Sequence, residues 1–176
     1  MHRLLVSWRR ISAFDAALCV ACNRASHYRL ICNSFRIVSR IGDGVFWYAL
    51  MAVLPAVYGA AALPVIARML LAGVCGLLLY KWLKTSISRP RPYQTYPVVT
   101  AAAMPLDQFS FPSGHTLHAV SFTSIATAYF PELGTVLVPF TVLVAASRPI
   151  LGLHYPSDVL AGAVIGLLLG RAVLAL

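Results

Sequence analysis

Five apolar runs, each near the length of a bilayer crossing, fill most of this chain from Val45 to its end. A helix needs about 20 apolar residues to span a hydrocarbon core, within a range near 17–25. Val45–Leu63 and Pro64–Lys84 fit that length, the second interrupted only by Arg68. Ser113–Phe130 and Ser157–Leu176 fit it too, and Leu133–Ser147 is a shorter fourth in chain order. Inside a bilayer every backbone N–H and C=O must be paired within the protein, so such runs fold as helices. Charged residues make up 11% of the chain, against about 25% in a soluble domain. The expected fold is therefore an all-α, integral membrane helical bundle with five transmembrane helices. Pro55 and Pro139 fall inside two of the runs and are expected to kink them.

The first 40 residues are of another kind. Phe14–Ala21 is apolar, but Asp15 and Arg24 interrupt the stretch, and no cleavable signal is expected there. Arg29, Arg36 and Arg40 alternate with Leu30, Ile31, Phe35, Ile37, Val38 and Ile41, which reads as an amphipathic helix lying on the membrane surface. A sixth, weakly apolar span between about residues 11 and 32 stays open. The chain thus divides into an N-terminal interfacial segment, residues 1–40, and a membrane-embedded domain, residues 41–176. The net charge is +9, with basic residues flanking apolar runs. That pattern fits anionic lipid as partner and excludes nucleic acid. Cys19 and Cys22 form a lone C-x-x-C, read as small apolar residues of a helix.

If the five helices run up and down, one face collects four places. They are the end of the second helix with Lys84, the start of the third with His115, the end of the fourth with Arg148, and the start of the fifth with Asp158. Residues of three separate segments meet there: Lys84 to Pro92, Pro112-Ser113-Gly114-His115, and Ser147-Arg148 with His154 and Asp158. Phosphoryl transfer spreads negative charge over three equatorial oxygens. Lys84, Arg91 and Arg148 are the cations to hold them, and arginine grips two oxygens at once. Lys81 is read instead as an interfacial cation. Pro112 opens a helix whose first amides, with Gly114 and the Ser113 hydroxyl, suit an anion. His154 and Asp158 stand four apart, as a nucleophile and the carboxylate that orients it. His115 is then free to protonate the departing alkoxide and later to activate water. His118 is read as an interhelical hydrogen bond, and Gly162, Gly166 and Gly170 as a close-packing helix face. Gly42-Asp43-Gly44 is read as a turn with Asp43 capping the next helix, a head-group contact being the other possibility. The long proline-rich connection from Thr85 to Pro112 is either a lid and lipid-entry rim or a segment packed on the bilayer interface.

These segments resemble the signature of the type-2 phosphatidic acid phosphatase superfamily: K-x6-RP, PSGH and SR-x5-H-x3-D. Lys84, Arg91 and Pro92, then Pro112 to His115, then Ser147, Arg148, His154 and Asp158 match every signature position. The resemblance implies a helical bundle and hydrolysis of lipid phosphates with neither metal nor cofactor. It implies a phosphohistidine on His154, His115 as acid, and a phosphate pocket of Lys84, Arg91, Ser113, Gly114 and Arg148. It also implies a bacterial inner (plasma) membrane with the site facing the periplasm. The charges divide on that point. Arg3, Arg9 and Arg10 favour an outward site if the chain crosses between residues 11 and 32, and a cytoplasmic site if it does not.

The leading function is a phosphatase acting on phosphatidic acid, phosphatidylglycerol phosphate, an isoprenoid diphosphate or a phosphorylated lipid A. A phosphotransferase shares the first half-reaction, with a lipid in place of water as acceptor. A vanadate-dependent haloperoxidase uses the same pocket but is soluble. A membrane protein that only binds anionic lipid has no need of His154.

Overall fold

The computed structural model describes the backbone of residues 2–176 and the side chains of residues 12–176. Arg3, Arg9 and Arg10, on which the orientation argument leans, have side chains outside the described residues. The described chain is helical, without strands, in eight α-helices joined by short connections except for the long loop over residues 96–113. They are α1 (His2–Asn23), α2 (Arg29–Ile41), α3 (Val45–Tyr58), α4 (Ala62–Ile87), α5 (Pro92–Thr95), α6 (Gly114–Tyr129), α7 (Gly134–Ile150) and α8 (Pro156–Leu174).

Backbone chemistry sets the boundaries. Gly59, at φ +59°, ends the first apolar run five residues before its composition does. The chain reverses there, so α3 and α4 lie antiparallel. Ser88, at φ 50°, closes α4 by returning its N–H to the Lys84 carbonyl. Pro55 and Pro139 lie inside α3 and α7.

Three stretches are long and apolar enough to cross a membrane: Val45–Thr95, which contains α3 and α4, Pro131–Ile150 and Pro156–Leu174. The expected third run is not among them, because α6 has 16 residues and carries polar side chains into the bundle. Helix α6 is the central post, packed on α4, α7 and α8. Its Thr123 hydroxyl meets that of Thr141 at 2.6 Å, a polar pair that a helix facing lipid would not hold. Around it lies the main core of Trp47, Met51, Leu54, Met69, Phe122, Ile125, Leu137 and Val144. The outer faces carry exposed Val53, Val57, Leu71, Leu78, Val138, Val142, Val164 and Leu168, an apolar belt suited to lipid.

The glycine stripe on α8 lets α6 approach closely. A Cβ at Gly162 would stand 2.5 Å from the Ser113 carbonyl, and one at Gly166 would collide with that of Leu117. His118 presents Nδ1 to the Gly114 carbonyl (2.9 Å) and Nε2 to that of Gly73 in α4 (3.2 Å), as an interhelical bond requires.

Helices α1 and α2 cover the motif end. Asp15, Cys19 and Asn23, spaced by four on α1, all bond to segments at that end. Asn23 Nδ2 donates to the carbonyls of Thr100 and Ile150, and Thr100 N–H donates back to Asn23 Oδ1. Cys19 Sγ lies 3.7 Å from the His154 carbonyl, and all four cysteines are free. Helix α2 packs on α7, where Arg148 donates to the Ser39 hydroxyl.

Candidate active site

Lys84, Arg91, Gly114, His115, Arg148 and His154 all line one cavity of about 370 Å³ at the motif end. Lys84, Arg91, Arg148 and His154 are each at most 5% exposed, so three cations and a histidine are held out of water together. Buried charges are costly unless compensated, and compensation here takes particular forms.

Asp107, on the loop before α6, bridges two of the cations. Its Oδ1 accepts from Lys84 Nζ at 2.6 Å and from Arg91 Nη2 at 2.8 Å. Lys84 also donates to the Phe109 carbonyl, and Arg91 to those of Asp107 and Leu153. Arg148 is different. Its Nε is buried with no hydrogen-bond partner among the described residues. A buried donor without a partner costs about 1–3 kcal/mol, a cost that an acceptor within reach would remove.

His154 sits in the turn between α7 and α8. Its Nδ1 lies 2.6 Å from the Ser110 carbonyl, and a carbonyl only accepts. Nδ1 therefore carries the proton, and Nε2 is bare, 3.4 Å from Arg91 Nη1. Burial first, then Arg148, Arg91, Lys84 and His115, push this imidazole well below the ordinary histidine value of 6.5. A neutral ring whose unprotonated nitrogen faces cations has the form that a nucleophile for an anionic phosphorus centre requires.

Three expected roles are placed differently. Asp158 stands 3.8 Å from His154 Nδ1, too far for the orienting bond. As the third residue of α8 it reaches back to the Tyr155 N–H at 2.8 Å, closing a capping box. Its other oxygen pairs with Arg89 Nη1 at 2.6 Å. Ser113 turns its hydroxyl to Thr116 Oγ1 at 3.0 Å, caps α6, and does not line the cavity. Asp43 does not cap α3, which has no side-chain cap. Its Oδ1 lies 3.0 Å from His115 Nε2.

Sequence reasoning passed over Ser110 and Asp107 and gave Arg89 no role. Arg89 pairs with Asp15 at 2.7 Å as well as with Asp158, and its guanidinium lies 3.9 Å above the Tyr155 ring. Asp15 in turn accepts from the Ser157 N–H, so α1 is tied to the start of α8. One signal was available. The chain has five acidic residues, and its four aspartates, Asp15, Asp43, Asp107 and Asp158, all pair with basic groups at the motif end. In a membrane chain an acidic residue is expensive and marks function by default.

The PAP2 superfamily model matches residues 61–176. The chain belongs to the PAP2 superfamily. The matched region holds every lining residue of the cavity beyond α3 and the turn before it. The undecaprenyl-diphosphatase BcrC of Bacillus subtilis is 32% identical over 100 residues, 57% of this chain and 51% of that protein. The decaprenylphosphoryl-5-phosphoribose phosphatase of Mycobacterium tuberculosis is 34% identical over 146 residues, 78% of this chain and 76% of that protein. The chain spans about half the length, or less, of the first curated relatives it matches. The crystal structure of a transmembrane PAP2-type phosphatidylglycerolphosphate phosphatase from Bacillus subtilis superposes with a TM-score of 0.73 at 26% identity. It covers 94% of this chain and 85% of that one. With its apolar helices, this PAP2 chain is an integral membrane protein.

Proposed function

We propose that this PAP2 chain hydrolyses a lipid phosphate or diphosphate monoester through a phosphohistidine on His154, without a metal. The observation that carries the reading is the bare His154 Nε2 facing a cavity ringed by Lys84, Arg91 and Arg148, the last with an unpartnered Nε. His154 Nε2 attacks phosphorus, and the bond to the leaving oxygen breaks. That oxygen keeps the electron pair and takes a proton from His115. Water then attacks the phosphohistidine, gives its proton to His115, and the N–P electrons return to His154. The three cations hold the equatorial oxygens, a role that magnesium fills in other phosphoryl-transfer sites.

The cavity continues as an apolar groove. From Lys84 to Met69 it follows α4 for about 22 Å at 1.5 Å per residue, between α3 and α6. Leu70, Val74 and Leu77 line it and are exposed on the bilayer side, which suits a substrate whose chain stays in the membrane. Two relatives are named for undecaprenyl and decaprenyl compounds, which favours an isoprenoid chain. The test is release of free phosphate from a panel of phosphatidic acid, phosphatidylglycerol phosphate, polyprenyl phosphates and diphosphates and lipid A, in excess EDTA and with no acceptor lipid. Turnover of at least one of them under these conditions is expected. Activity that stops in EDTA and returns with a divalent ion overturns the metal-free reading.

The five spans α3, α4, α6, α7 and α8 are proposed to carry the motif end outward. Helix α1, about 33 Å long at 1.5 Å per residue, has its C-terminal end anchored at the motif end. Crossing the bilayer would bring Arg3, Arg9 and Arg10 to the side of Arg68 and Arg171. Arg24, Arg29, Arg36 and Arg40 pull the other way. Topology reporters fused at the C-terminus and after Ser88 are expected to read cytoplasmic and external respectively, and the reverse result overturns the orientation.

A further inference from the structure

Asp43 lies outside the three signature segments and outside the matched residues 61–176. It is nevertheless one of the cavity's walls, and its carboxylate Oδ1 lies 3.0 Å from His115 Nε2. The turn that carries it is seated tightly. A Cβ at Gly42 would stand 2.7 Å from Val144 Cγ2 in α7, and Gly44 takes φ +123°, which favours glycine. Asp43 is thus held between α2 and α3 with its carboxylate over the first turn of α6. A carboxylate accepts, so the facing nitrogen of His115 carries the proton.

We propose that Asp43 is a positioning residue for His115: it holds the Nε2 proton of the acid toward the cavity until the leaving oxygen of the substrate takes the carboxylate's place. This rests on the phosphatase reading above. In the first half-reaction the P–O bond breaks as the His154 Nε2–P bond forms, and His115, as the imidazolium paired with Asp43, gives its Nε2 proton to the departing oxygen and becomes neutral imidazole. In the second, water attacks phosphorus, the N–P bond breaks with its electrons returning to His154 Nε2, and the water's proton passes to neutral His115 Nε2, restoring the imidazolium that Asp43 again holds. The site then contains two histidines held by different acceptors, the nucleophile by a backbone carbonyl and the acid by a carboxylate.

Help to a leaving group matters in proportion to how poor that group is. An alkoxide needs the proton, and a nitrophenolate needs little. The test uses the full chain in phospholipid–detergent micelles with two substrates, phosphatidic acid and p-nitrophenyl phosphate. Wild-type turnover of both secures the phosphatase reading before any variant is measured; where phosphatidic acid is left intact, the lipid phosphate hydrolysed in the panel above takes its place, and turnover of no lipid phosphate overturns that reading and this assignment with it. Asp43→Ala is expected to lower kcat/KM about 10–100-fold on phosphatidic acid, by analogy with the range seen when the partner that orients a metal-bound histidine is removed, and less than about threefold on the aryl ester. Asp43→Asn, which keeps an acceptor oxygen and the side-chain size, is expected to recover part of the loss. In a His115→Ala background, Asp43→Ala is expected to cost nothing further. Equal losses on both esters, or losses that add to those of His115→Ala, overturn the assignment. A rise in KM alone, confined to the lipid and persisting without His115, also overturns it and makes Asp43 a head-group contact.

Discussion

His154 and its neighbours show how a buried residue type acquires a role from what faces it. The Ser110 carbonyl, not Asp158, holds the imidazole proton. Asp158→Asn is therefore expected to lower kcat/KM about 10–100-fold, and equally on lipid and aryl esters. A direct His–Asp bond is worth about 10⁴ in a serine protease, so a loss of that size here would show that the carboxylate takes the proton in the working enzyme. Protonation gives a second check. A histidine lowered in the fold is neutral above that lowered value, while the unfolded side chain titrates near 6.5. Its effect on stability is absent above about pH 6.5 and turns unfavourable as the pH falls below it, because only the unfolded chain gains the proton. The ¹⁵N histidine spectrum is expected to show no titration of His154 between pH 8 and 5.5. Bound phosphate supplies the opposite charge, so saturating vanadate or phosphate is expected to move its titration upward. Sequence spacing pointed to His154 and the cations, which the fold gathers at one cavity, because the chemistry proposed for them is tied to their own residue types. It did not lead to Ser110, since any residue offers a carbonyl and only the fold brings one within reach.

Among the elements, the helices were legible and the loops were not. Apolar run lengths place five helices within a few residues of where they lie, because a bilayer forces each run to satisfy its own backbone. The exceptions have local causes: the first run stops early at the positive φ of Gly59, and α6 continues polar because it faces other helices. The stripe of Gly162, Gly166 and Gly170 was read correctly as packing, and it presses on the catalytic end. Gly162→Ala would push on the Ser113 carbonyl and stretch the Ser113 N–H bond to the Asp158 carbonyl, now 3.1 Å. A loss of about 1–3 kcal/mol and of most activity is expected, measured by thermal unfolding and phosphate release. A matching change at Gly59, at the far end with no atom within 4 Å of an added Cβ, is expected to cost about 1 kcal/mol of backbone strain and leave activity intact. The loop carrying Asp107 behaves in the opposite sense. Its carboxylate lies between Lys84 and Arg91, where a phosphate oxygen would otherwise bind. Asp107→Asn is expected to lower the inhibition constant of vanadate several-fold, since the anion no longer competes with a resident carboxylate. Weaker vanadate binding in this variant would mean that Asp107 instead holds the cations in place.

For the whole molecule, the groove and the bilayer have to be considered together. In water, each buried CH₂ group is worth about 0.8 kcal/mol, and a long groove would select long chains by affinity. In a membrane the chain leaves one apolar medium for another, so that term nearly vanishes. Under the proposed function what remains is shape: the groove must admit the chain while Lys84, Arg91 and Arg148 are to hold the phosphate at the motif end. Narrowing it should therefore act on access and leave the chemistry alone. Val74 lies on the groove and faces the bilayer, well below the cations on α4. Val74→Trp is expected to raise KM for a long-chain lipid phosphate about tenfold in vesicles, with kcat unchanged. The same variant should hydrolyse p-nitrophenyl phosphate, which has no chain, at the wild-type kcat/KM. Losses of equal size on both substrates would mean that the tryptophan disturbs α4 as a whole. No change on either would mean that the lipid reaches His154 by a route other than the groove along α4 between α3 and α6.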